Sequence, residues 1–176
     1  ARWISSQTQT PLIVGASWEH LHEGSNNRYN AAILIGEDGQ LADRYFKMHP
    51  VMFGEYLPLG RWMPWLYNLS PMGEGLAAGK QPKSFDVGGV RVSPTICFEN
   101  TVPHLMRRQV KTLAAAGQDP GVLVTITNDG WFWGSSALDV HLAFAVFRAI
   151  ELSRPLLSAA NTGFSAHINP VGRLVA

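Results

Sequence analysis

The chain has one cysteine, Cys97, so no disulfide can join two of its parts, and a lone thiol leaves the redox compartment open. Charge is scarce: 15% of the 176 residues are Asp, Glu, Lys or Arg, and the formal balance is only +1. The cations are scattered rather than clustered, which gives no reason to expect nucleic acid. No apolar run approaches the roughly 20 residues of a membrane span, and the N-terminus has no signal-peptide pattern. Internal repeats and low-complexity tracts are also missing. No Cys, His and Asp cluster stands at metal-ligand spacing, and nothing calls for a cofactor. What is present is a globular composition, 46% hydrophobic with six tryptophans and five methionines, enough for one domain with a sizeable core. The chain opens without methionine on Ala1-Arg2-Trp3 and stops at Arg173-Leu174-Val175-Ala176, where a strand could begin. A piece of a larger protein is expected.

Hydrophobic patterning predicts an alternating α/β arrangement. Residues 11–16 and 28–35 read as paired strands with a polar loop, 19–27, between them. Asp38-Gly39 suits a turn, and 41–46 form a third strand that ends on Lys47. Prolines at 50, 58, 64, 71 and 82 make the next stretch mostly loop, with a helical turn near Met63 to Tyr67. A hairpin over 85–92 sends its outgoing strand to Cys97. A helix from Pro103 to Ala116 is expected, capped by Thr101 and ended by Gly117. Residues 122–127 are apolar on both faces, as in a covered sheet. The strongest helix runs from Asp139 to Leu152, with an apolar stripe of Leu142, Ala145, Val146, Ala149 and Ile150, closed by Pro155. Two more strands, 156–160 and 165–169, flank Asn161-Thr162-Gly163-Phe164.

Several strands therefore end in polar or aromatic motifs, at the rim where α/β folds place their sites. Cys97, followed at once by Phe98-Glu99-Asn100, is either a small buried hydrophobe or a thiol presented at a sharp turn. A thiol attacks only as thiolate, so it needs a cation or base beside it. Lys47 can supply the cation and stabilise an oxyanion, with the Phe98 N–H as second donor; otherwise it is a solvated lysine. Glu55, between Gly54 and Tyr56, either braces its loop or holds the lysine. Glu99 either joins this chemistry or caps the following helix. His49 and His141 lack ligand partners, and Asp139 with His141 fits a helix start behind the Trp131 loop. Asn128 and Asp129 fit turn satisfaction. Glu151 and Arg154 fit an i,i+3 pair. Trp131, Phe132 and Trp133 in succession cannot all face a core. They and Trp62, Met63, Trp65 and Leu66 either line an apolar pocket, face lipid, or pack on missing protein.

Five segments carry a resemblance. They are Tyr45 to Pro58, Ile96-Cys97-Phe98-Glu99, Thr127-Asn128-Asp129-Gly130-Trp131-Phe132, Arg148 to Pro155, and Ala160-Asn161-Thr162-Gly163-Phe164-Ser165-Ala166. In this order they resemble the nitrilase superfamily of carbon-nitrogen hydrolases, and within it the apolipoprotein N-acyltransferase family. The resemblance implies an α-β-β-α sandwich, here one partial domain over 1–176 without the N-terminal strand and helix and the last C-terminal strands. It implies a Glu-Lys-Cys site with Lys47 as the lysine, Cys97 as the nucleophile, and Glu55 and Glu99 as accessory carboxylates. The general-base glutamate should precede the lysine in a Pro-Glu type motif. Nothing here matches it, and Glu19 and Glu23 are poorly placed for the role. The implied activity moves an acyl chain from a phospholipid, through a thioester on Cys97, to the N-terminal cysteine amine of a diacylated lipoprotein. Trp62, Trp131, Phe132 and Trp133 would line the substrate path. The implied setting is the bacterial inner membrane, with this domain on the periplasmic side between membrane helices. A fragment without its base should be inactive. The alternatives are a soluble amidase of the same superfamily and a catalytically silent domain.

Overall fold

Two sheets carry the molecule, and each follows from a stretch of alternating or fully apolar sequence. The computed structural model describes residues 1–22, 25–60, 62–69 and 75–175. In the first sheet β1 (Leu12–His22), β2 (Ser25–Ile35) and β3 (Leu41–Phe46) pair antiparallel in that order. The second has six strands: β4 (Phe85–Val87), β5 (Val90–Ile96), β6 (Val122–Asn128), β7 (Leu156–Asn161), β8 (Ala166–Ile168) and β9 (Leu174–Val175). Its central strands β5, β6 and β7 run parallel, and the outer pairings are antiparallel. The helices are α1 (Arg2–Thr8), α2 (Pro103–Ala115) and α3 (Ala137–Leu152).

The sheets meet face to face. Ala32, Leu34 and Tyr45 from the first pack with Phe85 and Ile96 from the second, with Ile13, Val87 and Ile126 at the margin. Gly15 faces Ile126 across the same interface, where a Cβ would make an ordinary contact at 3.4 Å from Ile126 Cγ2. On the outer side of the six-stranded sheet, Met106 and Val110 of α2 and Ala145, Ala149 and Leu152 of α3 cover Leu123, Leu156 and Ile168. Truncating any of these large core residues to alanine should cost about 2–5 kcal/mol. Helix, sheet, sheet is thus the expected layering. Helix α1 sits beside the turn between β2 and β3 and is mostly exposed. It is pinned by Ser5 Oγ donating to Gly36 O (2.6 Å) and Thr10 O (2.7 Å).

Four local expectations need correction. The polar loop at 19–27 is largely strand: Glu19 pairs across the sheet with Arg28, and β1 continues to His22. The run is polar in sequence, so no apolar alternation marked it as strand. Helix α1 was not foreseen. Its seven residues are mostly exposed and show no apolar stripe. Thr101 does not cap α2; Val102 stands at the cap, and Thr101 Oγ1 donates back to Phe98 O at 2.8 Å. Glu151 does not pair with Arg154. It meets Arg148 and Arg107, while Arg154 holds Asp119 and the carbonyls of Pro120 and Leu152.

The parallel strands set the site's position. Because β5, β6 and β7 share a direction, Cys97, Asn128 and Asn161 emerge at one rim of the sheet. β3 delivers Lys47 from the facing sheet.

Candidate active site

Cys97 opens a 3-10 turn, Cys97–Thr101, directly after β5. Its φ of +52° lies in the left-handed region, which costs a side-chain-bearing residue about 1–3 kcal/mol and persists only where neighbours enforce it. The residue is neither sealed nor fully open. That geometry departs from a core hydrophobe, which would sit unstrained within the strand.

Lys47 is 1% exposed, so the solvated-lysine reading fails. Its Nζ donates to Glu55 Oε2 at 2.7 Å. Glu55 does both things expected of it. The same Oε2 accepts the Val51 N–H at 2.7 Å, bracing the loop, and Oε1 accepts Asn30 Nδ2 at 3.1 Å. Asn30 also takes the Lys47 N–H on its own carbonyl at 2.8 Å, so one residue of β2 fixes both partners. Burial raises the Glu55 carboxyl, but the Lys47 and Val51 hydrogen bonds outweigh it and hold the group below its ordinary value.

Glu99 joins the two halves of the site. It is fully buried, and its Oε1 accepts the backbone N–H groups of Met48 (2.7 Å) and His49 (3.0 Å) just after Lys47. Oε2 accepts the N–H of Ile96 at 2.8 Å, just before Cys97. The Tyr45 hydroxyl lies 2.9 and 2.8 Å from the two oxygens. One carboxylate therefore ties the segment carrying Lys47 to the strand carrying Cys97. Burial pushes the Glu99 carboxyl up, opposed by the Ile96 N–H, Tyr45, and the His49 and Met48 N–H groups. Tyr45 is raised in turn, by burial and by the Glu99 charge. Glu99 does not cap α2; it caps the short turn that Cys97 begins.

The remaining candidates separate cleanly. Phe98 is partly exposed beside Cys97, and Phe132 is half-buried, its ring edge toward His141 at 6.3 Å between centroids. Trp62, Trp131 and Trp133 are 79%, 77% and 93% exposed, with Trp65 and Phe53 also open. His49 is exposed and contributes its backbone alone to Glu99. Asp139 sits in the first turn of α3. Asn128 Oδ1 accepts the Gly130 N–H at 3.2 Å, the expected turn role. Glu19 is bound to Arg28 at 3.0 Å, and Glu23 lies outside the described residues. Among the described residues no group of three or more His, Cys, Asp or Glu could hold a metal ion. A groove of about 590 Å³ lined by Tyr29, Arg44, Phe46 and Lys83 runs beside β3 and includes neither Cys97 nor Lys47.

Sequence reasoning missed Asn30, Tyr45 and the contacts of His141 with Asp129 and the Cys97 carbonyl. Each is a polar side chain inside an apolar face, where a buried donor must find a partner. That signal was available.

The family model for carbon-nitrogen hydrolases matches residues 4–176. The apolipoprotein N-acyltransferase of Rhodopirellula baltica is 34% identical over 167 residues, 94% of this chain and 29% of that protein. That of Bradyrhizobium diazoefficiens is 40% identical over 151 residues, 84% of this chain and 27% of that protein. The chain spans about a third of the length of the curated relatives it matches. Among solved structures, a cysteine-to-alanine mutant of the Nesterenkonia AN1 amidase from the nitrilase superfamily covers 99% of this chain and 59% of that chain. Its TM-score is 0.66 at 19% identity, a likeness of fold.

Proposed function

From the premise that the chain belongs to the carbon-nitrogen hydrolase family, we propose that it is the thiol-bearing part of an apolipoprotein N-acyltransferase. The observation that carries this reading is the Glu99 carboxylate, which fastens the Lys47 segment to the Cys97 turn. In the reaction the Cys97 thiolate attacks the ester carbonyl of a phospholipid. The negative charge that forms on oxygen meets the Lys47 ammonium and the Phe98 N–H. The C–O bond then breaks, the lysophospholipid alkoxide takes back the proton that the base removed from the thiol, and a thioester remains on Cys97. The N-terminal cysteine amine of a diacylated lipoprotein attacks the thioester; an amide forms, the thiolate leaves, and the amine proton passes to a base.

Glu55 fixes the ammonium of Lys47 and lowers the cost of burying it. The carboxylates near the site are already committed: Glu55 to Lys47 and Val51, Glu99 to backbone N–H groups, and Asp129 to Thr127 and His141. Among the described residues none of these carboxylates is left to serve as the base, and the resemblance assigns that role to sequence before Lys47 that no described residue matches. In this reading the chain alone takes no acyl group from phospholipid. Trp62, Trp131 and Trp133, all largely exposed, suit contact with acyl chains and with a membrane interface. In this reading the complete protein resides in the bacterial inner membrane with this domain on its periplasmic side. No helix among the described residues is long and apolar enough to cross a membrane.

The test compares the 176-residue chain with a longer protein that contains it, each incubated with phospholipid and read by intact mass. The longer protein should gain one acyl group on Cys97 and discharge it to the amine of a diacylated lipopeptide. The isolated chain should stay unmodified. Rapid stoichiometric acylation of the isolated chain would overturn the inactivity. Discharge to water in preference to the amine would favour the amidase reading.

A further inference from the structure

The helix α3 carries a histidine on its buried face that the chemistry above does not use. We propose that His141, oriented by Asp129, is a positioning residue that sets the oxyanion donor through the Cys97–Phe98 peptide. The proposal deepens the acyl-transfer reading and rests on Cys97 being the nucleophile.

Both side chains are more than nine-tenths buried. His141 Nδ1 lies 3.0 Å from Asp129 Oδ1, and Nε2 lies 3.3 Å from the backbone oxygen of Cys97. A carbonyl oxygen only accepts, so Nε2 carries a proton. Asp129 Oδ1 also accepts Thr127 Oγ1 at 2.7 Å, and its contact with Nδ1 orients the ring. The imidazole is therefore held between the Asp129 carboxyl group and a peptide carbonyl. Phe132 closes a further side with its ring edge. Asp129 is itself confined. A Cβ on Gly163 would press on its Oδ2 and come to 3.0 Å from its Cβ, so the Asn161-Thr162-Gly163-Phe164 loop needs glycine at this point.

The consequence lies in the geometry of one peptide unit. A trans peptide is planar, with its C=O and N–H antiparallel. The carbonyl that His141 grips belongs to Cys97, and the N–H of that same unit belongs to Phe98. Fixing the oxygen fixes the direction of the amide proton and the left-handed turn at Cys97. Drawing electron density toward the oxygen also makes the N–H a stronger donor. His141 would thus act on the far side of the peptide from the reacting carbonyl, without touching substrate. Two anchors then bracket the strained residue: Glu99 on the N–H of Ile96, and His141 on the oxygen of Cys97.

Two reactions of the single thiol separate this role from a purely structural one. Alkylation by iodoacetamide needs a thiolate but forms no oxyanion, whereas acylation by a p-nitrophenyl ester needs both. In the 176-residue chain, His141→Ala should slow ester acylation about tenfold or more, consistent with weakening one oxyanion donor. Alkylation should change less than about threefold, since it forms no oxyanion to stabilise. His141→Gln, which keeps an N–H donor, should recover part of the acylation rate. Equal slowing of both reactions, or of neither, overturns the proposal. If the alanine variant loses its fold by circular dichroism, nitrogen-15 spectra of the parent decide instead: Nε2 of His141 should carry a proton, and a bare Nε2 overturns the proposal. The underlying reading fails separately, if parent Cys97 acylates no faster in the folded chain than in the urea-unfolded one.

Discussion

Replacing Glu99 with glutamine removes the joint between the two halves of the site while keeping its size. The carboxylate has donors on both oxygens: the Met48 and His49 N–H groups and the Tyr45 hydroxyl on one, the Ile96 N–H and the same hydroxyl on the other. Glutamine offers one oxygen and one NH2. If the NH2 turns toward Ile96, Tyr45 can accept from it but the Ile96 N–H faces another donor. An orphaned buried N–H costs about 1–3 kcal/mol, and each remaining bond falls from charge-assisted to neutral strength, roughly 1 kcal/mol less. The opposing term is real. Burial pushes the carboxyl up, so a neutral amide recovers part of that desolvation. The net loss should be about 2–4 kcal/mol, or roughly 5–15 °C in Tm for a chain of this length. Urea unfolding followed by tryptophan fluorescence measures it. Iodoacetamide labelling of the folded variant should also change rate, because the turn holding Cys97 loses its anchor. A variant within 1 kcal/mol of the parent, with unchanged labelling, would refute Glu99 as the joint.

Three other outcomes follow from the same geometry. Because the folded Glu55 carboxyl is held below its ordinary value, its stabilising contribution is present above about pH 4.5 and lost as pH falls through the folded value. Glu55→Gln should therefore flatten the acid limb of the urea midpoint against pH, and should cost about 3–5 kcal/mol at neutrality by leaving the Lys47 ammonium buried without its anion. Gly163→Ala should cost about 1–3 kcal/mol through overpacking against Asp129, seen as a lower Tm and a shifted His141 ring resonance. Replacing exposed Trp62 and Trp133 with serine should leave stability within about 0.5 kcal/mol each and weaken sedimentation with phospholipid vesicles. Undiminished vesicle binding would argue against the membrane-facing role.

Much of the fold was legible because its core strands are unambiguous. Residues 122–127 and 156–160 are short, apolar and bounded by turn residues, and of the expected α3 stripe Ala145 and Ala149 are buried, whereas Ile150 is exposed and His141 and Arg148 share the buried face. The polar end of the first hairpin was not legible, since a run with few apolar residues carries no period-two signature. Of the site, Lys47, Cys97, Glu55 and Glu99 stood out through the resemblance and through their places after strands. Their joining could not be read, because it runs through backbone N–H groups of Met48, His49 and Ile96, which every sequence possesses. Arg154 shows the same difficulty. Its acceptors are two carbonyls and Asp119, and the nearer carboxylate in sequence, Glu151, is claimed by Arg107 and Arg148.

The most direct test is an experimental structure of the chain after Cys97 has been alkylated with iodoacetamide. The acetamide oxygen, one methylene further from Sγ than an oxyanion would be, can reach the same donors. It should lie within hydrogen-bond distance, about 2.7–3.2 Å, of both Lys47 Nζ and the Phe98 nitrogen. An adduct turned toward solvent, with Lys47 bound only to Glu55 and remote from the acetamide, would contradict the acyl-enzyme account.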